Sequence, residues 1–298
     1  MERRNAIFND TLAIACVLVA GMHVFATNAK ASFAISEQKP IFIVIGLCIA
    51  AYLVLCKTEI MRKRAFTYVL MLSALSVSVF SLFFFRGPNP QIFGVRMPLS
   101  YFLIFTYFIV MQNENGSDRL MAEHVFMSLA FSMALALSPD VQGFVFFTLF
   151  VIHYGLFNSG RSFLKVICHQ AVSVAAGVLA ALSNPDISRC CAMQIRSAFM
   201  APDWPIADEM FGTFGTIGVV FAFVILCLLV YAYARTRANL TFFTYLAGML
   251  SIAVLASVFK VGRIEFMFLP NDAVSLVLDS LLLAHMGHMP KRKAVQAE

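Results

Sequence analysis

The sequence predicts an all-α, polytopic integral membrane protein with about ten transmembrane helices. Three observations carry that expectation. Of 298 residues, 60% are hydrophobic and only 13% are charged, about half the roughly 25% charged share of soluble domains. The mean hydropathy is +0.82. Apolar stretches approaching the roughly 20 residues that cross a bilayer's hydrocarbon recur from one end of the chain to the other. A soluble protein packed from so many apolar helices would have almost no polar surface.

The spans follow in order. The first, 7–27, stands behind Arg3 and Arg4 and has the outline of a signal peptide, but it is one of many similar segments and is read as retained. Spans 40–56 and 65–85 flank the basic loop "KTEIMRKR". The fourth, 98–112, opens at Pro98. The fifth and sixth, 122–138 and 141–157, are separated only by a tight turn, and the seventh covers 163–183. The last three are 210–234, 240–259 and 268–287. The fourth and sixth are short, which suits helices that tilt little or pack against partners.

With the N-terminus inside, fourteen of the 22 Lys and Arg residues fall on inner segments and eight on outer ones. That asymmetry places both termini in the cytoplasm. The expectation is therefore a single transmembrane domain over 1–298 with one longer outer loop at about 184–209. Within that loop Met193 to Met200, with Ile195 and Phe199 four apart, is predicted to form a short amphipathic helix on the membrane surface. The net charge of +6 sits in short loops, which argues for membrane orientation and against nucleic-acid binding. Seven scattered cysteines show no CxxC and no zinc spacing, and the adjacent Cys190 and Cys191 are poorly placed for a bridge.

Five groups of residues carry candidate chemistry, each with a plain alternative. Asp208 and Glu209 stand at the outer mouth of the eighth span. A carboxylate there serves as a general base, or with its neighbour holds a divalent cation, Mg²⁺ or Mn²⁺. The alternative is acid at a helix N-terminus. "SPDVQG", with Asp140, lies between the fifth and sixth spans, and its plain alternative is a tight turn and helix start. Arg96 in "GVRMP" either meets an anion or snorkels.

Arg161, Lys165 and His169 form one stripe at i, i+4 and i+8 on the seventh span, with His153 able to face it from the sixth. They bind an anionic head group, or they are two snorkelling cations and an interhelical histidine. Asp279 lies inside the tenth span, where a charge is costly and calls for a cavity or a partner such as Lys260 or Arg263. The outer loop adds Arg189 and Arg196 as anion-binding candidates. No Walker loop, HExxH or GxSxG occurs, which argues against a nucleotide-driven pump, a zincin and a serine hydrolase.

The order of these features resembles the SEDS family (shape, elongation, division and sporulation), the RodA/FtsW-like peptidoglycan glycosyltransferases. The likeness covers nearly the whole chain as architecture and only patches of it as motif. "IADEMF" stands where the family carries its outer-loop aspartate, which matches Asp208. Pro139, Asp140 and Gly143, here spaced Pro-Asp-x-x-Gly, answer its Pro-Asp-x-Gly turn with one residue more, Gly94 and Arg96 match its Gly-x-Arg, and Pro270 and Ser275 are what remains of a late segment. Ile206 and Ala207 replace the polar residues before that aspartate, and the late glycine pair is gone.

The resemblance implies a lipid II polymerase of the bacterial cytoplasmic (inner) membrane, or a relative that has lost the chemistry. It implies lipid II or another undecaprenyl-linked sugar as substrate, with Asp208 catalytic. Arg96, Asp140, Arg189, Arg196, Lys165, His169 and Asp279 are the substrate-binding candidates, and Asp208 with Glu209 the candidate metal pair. Membrane lipids and a single-pass class B transpeptidase (a penicillin-binding protein) are the implied partners. Two other classes stand beside it: a non-catalytic membrane scaffold of an elongation or division complex, and a flippase for a lipid-linked sugar using the Arg161–Lys165–His169 stripe and Asp279.

Overall fold

Long apolar runs leave the backbone few polar partners outside its own segment, so helices are the expected solution. The computed structural model describes residues 10–22, 35–84, 91–92, 95–96, 99–113, 120–157, 163–200 and 273–287, and these are almost entirely helical. The helices are α1 (Asp10–Met22), α2 (Ile35–Lys57), α3 (Arg64–Phe84), α4 (Leu99–Asn113), α5 (Leu120–Leu137), α6 (Val141–Phe157), α7 (Phe163–Leu182), α8 (Pro185–Met200) and α9 (Ala273–Gly287). A 3₁₀ turn at Glu59–Arg62 follows α2. A two-residue antiparallel ladder, β1 (Gln91–Ile92) with β2 (Val95–Arg96), pairs Gln91 with Arg96 and precedes α4.

The chain divides into two compact units. In one, α2 packs along α9. Helix α1 approaches α2 closely: a Cβ on Gly21 would come within 2.5 Å of Ile45, and the Tyr52 hydroxyl donates to Asp10 at 3.2 Å. In the other unit α4 is the central element. Every residue from Tyr101 to Met111 is buried, as expected of a helix apolar on all sides, and α3, α5 and α6 pack around it. Helix α7 lies along α5, and a Cβ on Gly177 would meet Phe144 at 2.6 Å and the Ser132 carbonyl at 3.2 Å.

Among the described residues no single helix is long and apolar enough to cross a membrane. Val166–Leu182 and Pro185–Arg196 together have that length and composition but are bent by 113°. Large apolar side chains are exposed on α2 (Phe42, Ile43, Leu47), α3 (Val69, Leu72) and α7 (Leu164, Val172, Leu179).

Expected and observed bounds differ most after α7. The segment expected as a loop, with a helix only from Met193, is helical from Pro185. Asn184 explains the early start. Its Oδ1 accepts from the Asp186 and Ile187 amides at 3.0 and 3.4 Å, and its carbonyl accepts from Ser188 at 2.9 Å. Asn184 is thus an N-cap, with proline at the first helical position and acid in the first turn. The expected spans 210–234 and 240–259 lie outside the described residues.

Candidate functional site: the Pro139–Asp140 turn

Helix α5 ends at "LSPD". The Ser138 amide and hydroxyl both bond to the Ala134 carbonyl, at 2.9 and 2.7 Å, and the Asp140 amide reaches back to Leu135 at 3.0 Å. Proline at 139 has no amide to extend the ladder, so the helix stops there. Asp140 then caps α6. Its Oδ1 accepts from the Gly143 amide at 2.8 Å and its carbonyl from Phe144 at 2.9 Å.

The Ser100 side chain, in the first turn of α4, hydrogen-bonds the same carboxyl group. Gly143 leaves the room this arrangement needs: a Cβ there would overlap an Asp140 carboxyl oxygen and come within 2.5 Å of the Ser100 Cβ. Asp140 is buried, and burial pushes its carboxyl up to about 6, against the opposing pull of the Gly143 and Ser100 hydrogen bonds.

Helix α8 closes over the turn. The Gln194 Nε2 donates to the Pro139 carbonyl at 2.5 Å, and the Val141 amide donates to Gln194 Oε1 at 3.2 Å. One side-chain amide thus pairs with a carbonyl and an N–H that the α5–α6 junction leaves without helical partners. The turn thus holds a buried carboxyl between α4 and α6, with α8 fastened to the backbone on either side of it.

The other sequence candidates are placed as follows. Arg189 and Arg196 are exposed on α8, on the face away from Gln194, so Asp140 and the two arginines are not brought together. Arg96 is on β2, and Lys165 is on α7; the side chains of both, and that of His153, lie outside the described residues. His169 is half-buried on α7, and its Nδ1 is buried without a hydrogen-bond partner among the described residues. Asp279 is buried on α9, next to Ser280, which hydrogen-bonds Cys48, and within electrostatic range of Cys16 and Cys48. Asp208 and Glu209 lie outside the described residues, as do Lys260 and Arg263. Among the described residues no group of three or more His, Cys, Asp or Glu is arranged to hold a metal ion. Cys190 and Cys191 are free thiols.

Two polar contacts had no counterpart in the sequence reading. His124 of α5 and Tyr107 of α4 share a hydrogen bond through Nδ1 and the phenol oxygen. Tyr107 also lies edge-on to Phe147, Phe150 and Tyr154 of α6. Between α5 and α7, Ser128 donates to Gln170 Oε1 at 2.7 Å and lies 3.1 Å from the Ser173 hydroxyl.

No protein-family model matches the chain, and no curated protein matches it.

Proposed function

We propose that the chain is a polytopic protein of the bacterial cytoplasmic membrane and a SEDS-like glycosyltransferase that polymerises lipid II at the outer face. The observation that carries this reading is the clasp between Gln194 and the Pro139–Asp140 turn. The Pro-Asp turn and the segment after the seventh span are two of the features on which the resemblance rests. They are more than fifty residues apart in sequence, and they meet. The exposed apolar side chains of α2, α3 and α7 support the membrane part of the reading.

In this proposal Asp208 deprotonates a sugar hydroxyl of the acceptor. The oxygen attacks the anomeric carbon of the donor, and the glycosyl–oxygen bond to the lipid pyrophosphate breaks. Arg96 on the outer side offsets the charge left on the pyrophosphate. Asp208 and Glu209 would be the pair to hold a divalent cation, which would supply further neutralising charge. A single-pass class B transpeptidase is the natural partner, crosslinking the glycan as it emerges.

One observation favours a second reading, a non-catalytic scaffold for such a transpeptidase. The Asp140 carboxyl is engaged inside the fold by Gly143 and Ser100, so this turn serves architecture without offering a free base. Polymerisation of labelled lipid II separates the two. Glycan chains from wild type and none from Asp208→Ala support the polymerase. Chains from neither, beside an active control enzyme, support the scaffold.

A further inference from the structure

Helix α8 has two unlike sides. At about 100° per residue, Arg189 and Arg196 fall within roughly 20° of each other, Met193 lies about 40° from Arg189, and Gln194 about 140° or more from both arginines. Burial follows this wheel. Arg189, Met193 and Arg196 are exposed, Met193 at 57%, whereas Ile187, Cys190, Cys191 and Gln194 are partly covered. Because Gln194 is tied to the Pro139–Val141 turn, the direction in which the arginine side faces is fixed. No hydrogen bond or ion pair among the described residues engages either guanidinium. The one acid on this side is Asp186, in the first turn, where it favours the helix N-terminus.

We infer that the Arg189–Met193–Arg196 side of α8 is an interfacial binding surface for the phosphate groups of anionic phospholipids. Helix α8 is bent by 113° from α7. If α7 crosses the bilayer, as the proposed membrane reading on which this inference rests requires, α8 lies close to the plane of the surface. Met193, between the two arginines, then enters the acyl boundary. The arginines, two turns apart, present planar donor forks to phosphate. The helix N-terminus is taken up by Asn184, so the arginines supply the attraction.

The test uses the full chain in detergent, titrated with phosphatidylglycerol or phosphatidylcholine and read by native mass spectrometry. Wild type should prefer phosphatidylglycerol. Arg189→Gln/Arg196→Gln should weaken that lipid by about fivefold for each arginine removed, and phosphatidylcholine hardly at all. Arg189→Lys/Arg196→Lys should retain the preference, and added salt should reduce it. Equal lipid binding by wild type and the Gln variant, or displacement of phosphatidylglycerol by inorganic pyrophosphate at matched concentration, overturns the inference and leaves the membrane reading intact. A chain that carbonate strips from membranes overturns both.

Discussion

Gln194 and Pro139 are separated by 55 residues and joined by a 2.5 Å hydrogen bond from the Gln194 Nε2 to the Pro139 carbonyl. The same side chain accepts from Val141 on the far side of Asp140. This double contact fastens a polar helix to the junction of two apolar ones. Gln194→Leu removes both bonds and leaves partly buried backbone groups unpaired, at a cost of about 1–3 kcal/mol. Hydrogen exchange should accelerate at the Val141 amide and along α8 while α4 and α5 stay protected. Gln194→Glu keeps the acceptor for Val141 but sets a carboxylate oxygen against the Pro139 carbonyl, so it should accelerate exchange as well. Unchanged exchange in the Leu variant would mean that α8 is held by other contacts.

The buried Asp140 carboxyl makes stability depend on pH, and the sign is fixed by the direction of its displacement. The folded protein holds this proton more tightly than the unfolded chain, up to about 6. The proton's contribution is full below the ordinary carboxyl range and is lost as pH rises through about 6, an effect on the order of 3 kcal/mol. Asp140→Asn keeps an oxygen to accept from Gly143 and cannot ionise. Wild type should therefore lose stability relative to Asp140→Asn between pH 4 and pH 7, measured by thermal unfolding in detergent. Parallel curves for the two proteins across that range would show that Asp140 does not titrate there.

Gly143 makes the cap sterically feasible. In Gly143→Ala the new methyl group overlaps the Asp140 carboxyl and crowds Ser100 of α4. Both are backed by packed helices, so relief requires α4 and α6 to move apart. The expected loss is about 1–3 kcal/mol. Pairing it with Ser100→Gly should recover part of that loss, since the second substitution removes one of the two side chains struck. Equal stability of Gly143→Ala and wild type in chemical denaturation would show that the turn has room to spare.

The helices other than α8 were legible in the sequence because each is a long apolar run closed by a polar or proline-bearing segment. The expected 141–157 coincides with α6, and 65–85 and 98–112 lie within a residue of α3 and α4. Helix α8 was only half legible. Its polar composition reads as loop, while the signal for its start is the short run Asn184–Pro185–Asp186, which an apolar-periodicity argument passes over. Asp140 was singled out from its place beside proline, and its capping role is the plainer of the two readings given to it. Gln194 was not found, since a glutamine in a polar segment has no pattern of its own and its meaning comes from a turn more than fifty residues away. Tyr107 and His124 were hidden for the opposite reason, as polar atoms inside segments whose surroundings are apolar.

That pair supplies a prediction independent of the α8 clasp. Tyr107 and His124 are both buried, and their hydrogen bond ties α4 to α5 within a cage of aromatic rings from α6. Tyr107→Phe retains the edge-on ring contacts and removes only the hydroxyl, so its cost isolates the polar term. With the imidazole Nδ1 deprived of this partner in a low-dielectric site, the expected loss is about 1–3 kcal/mol. His124→Leu leaves the phenol in the same position and should cost a comparable amount. In the double variant neither polar atom remains, so its loss should fall well short of the sum of the two singles. A strictly additive cycle, measured by chemical denaturation, would mean that the hydrogen bond couples nothing and that other packing holds α4 against α5.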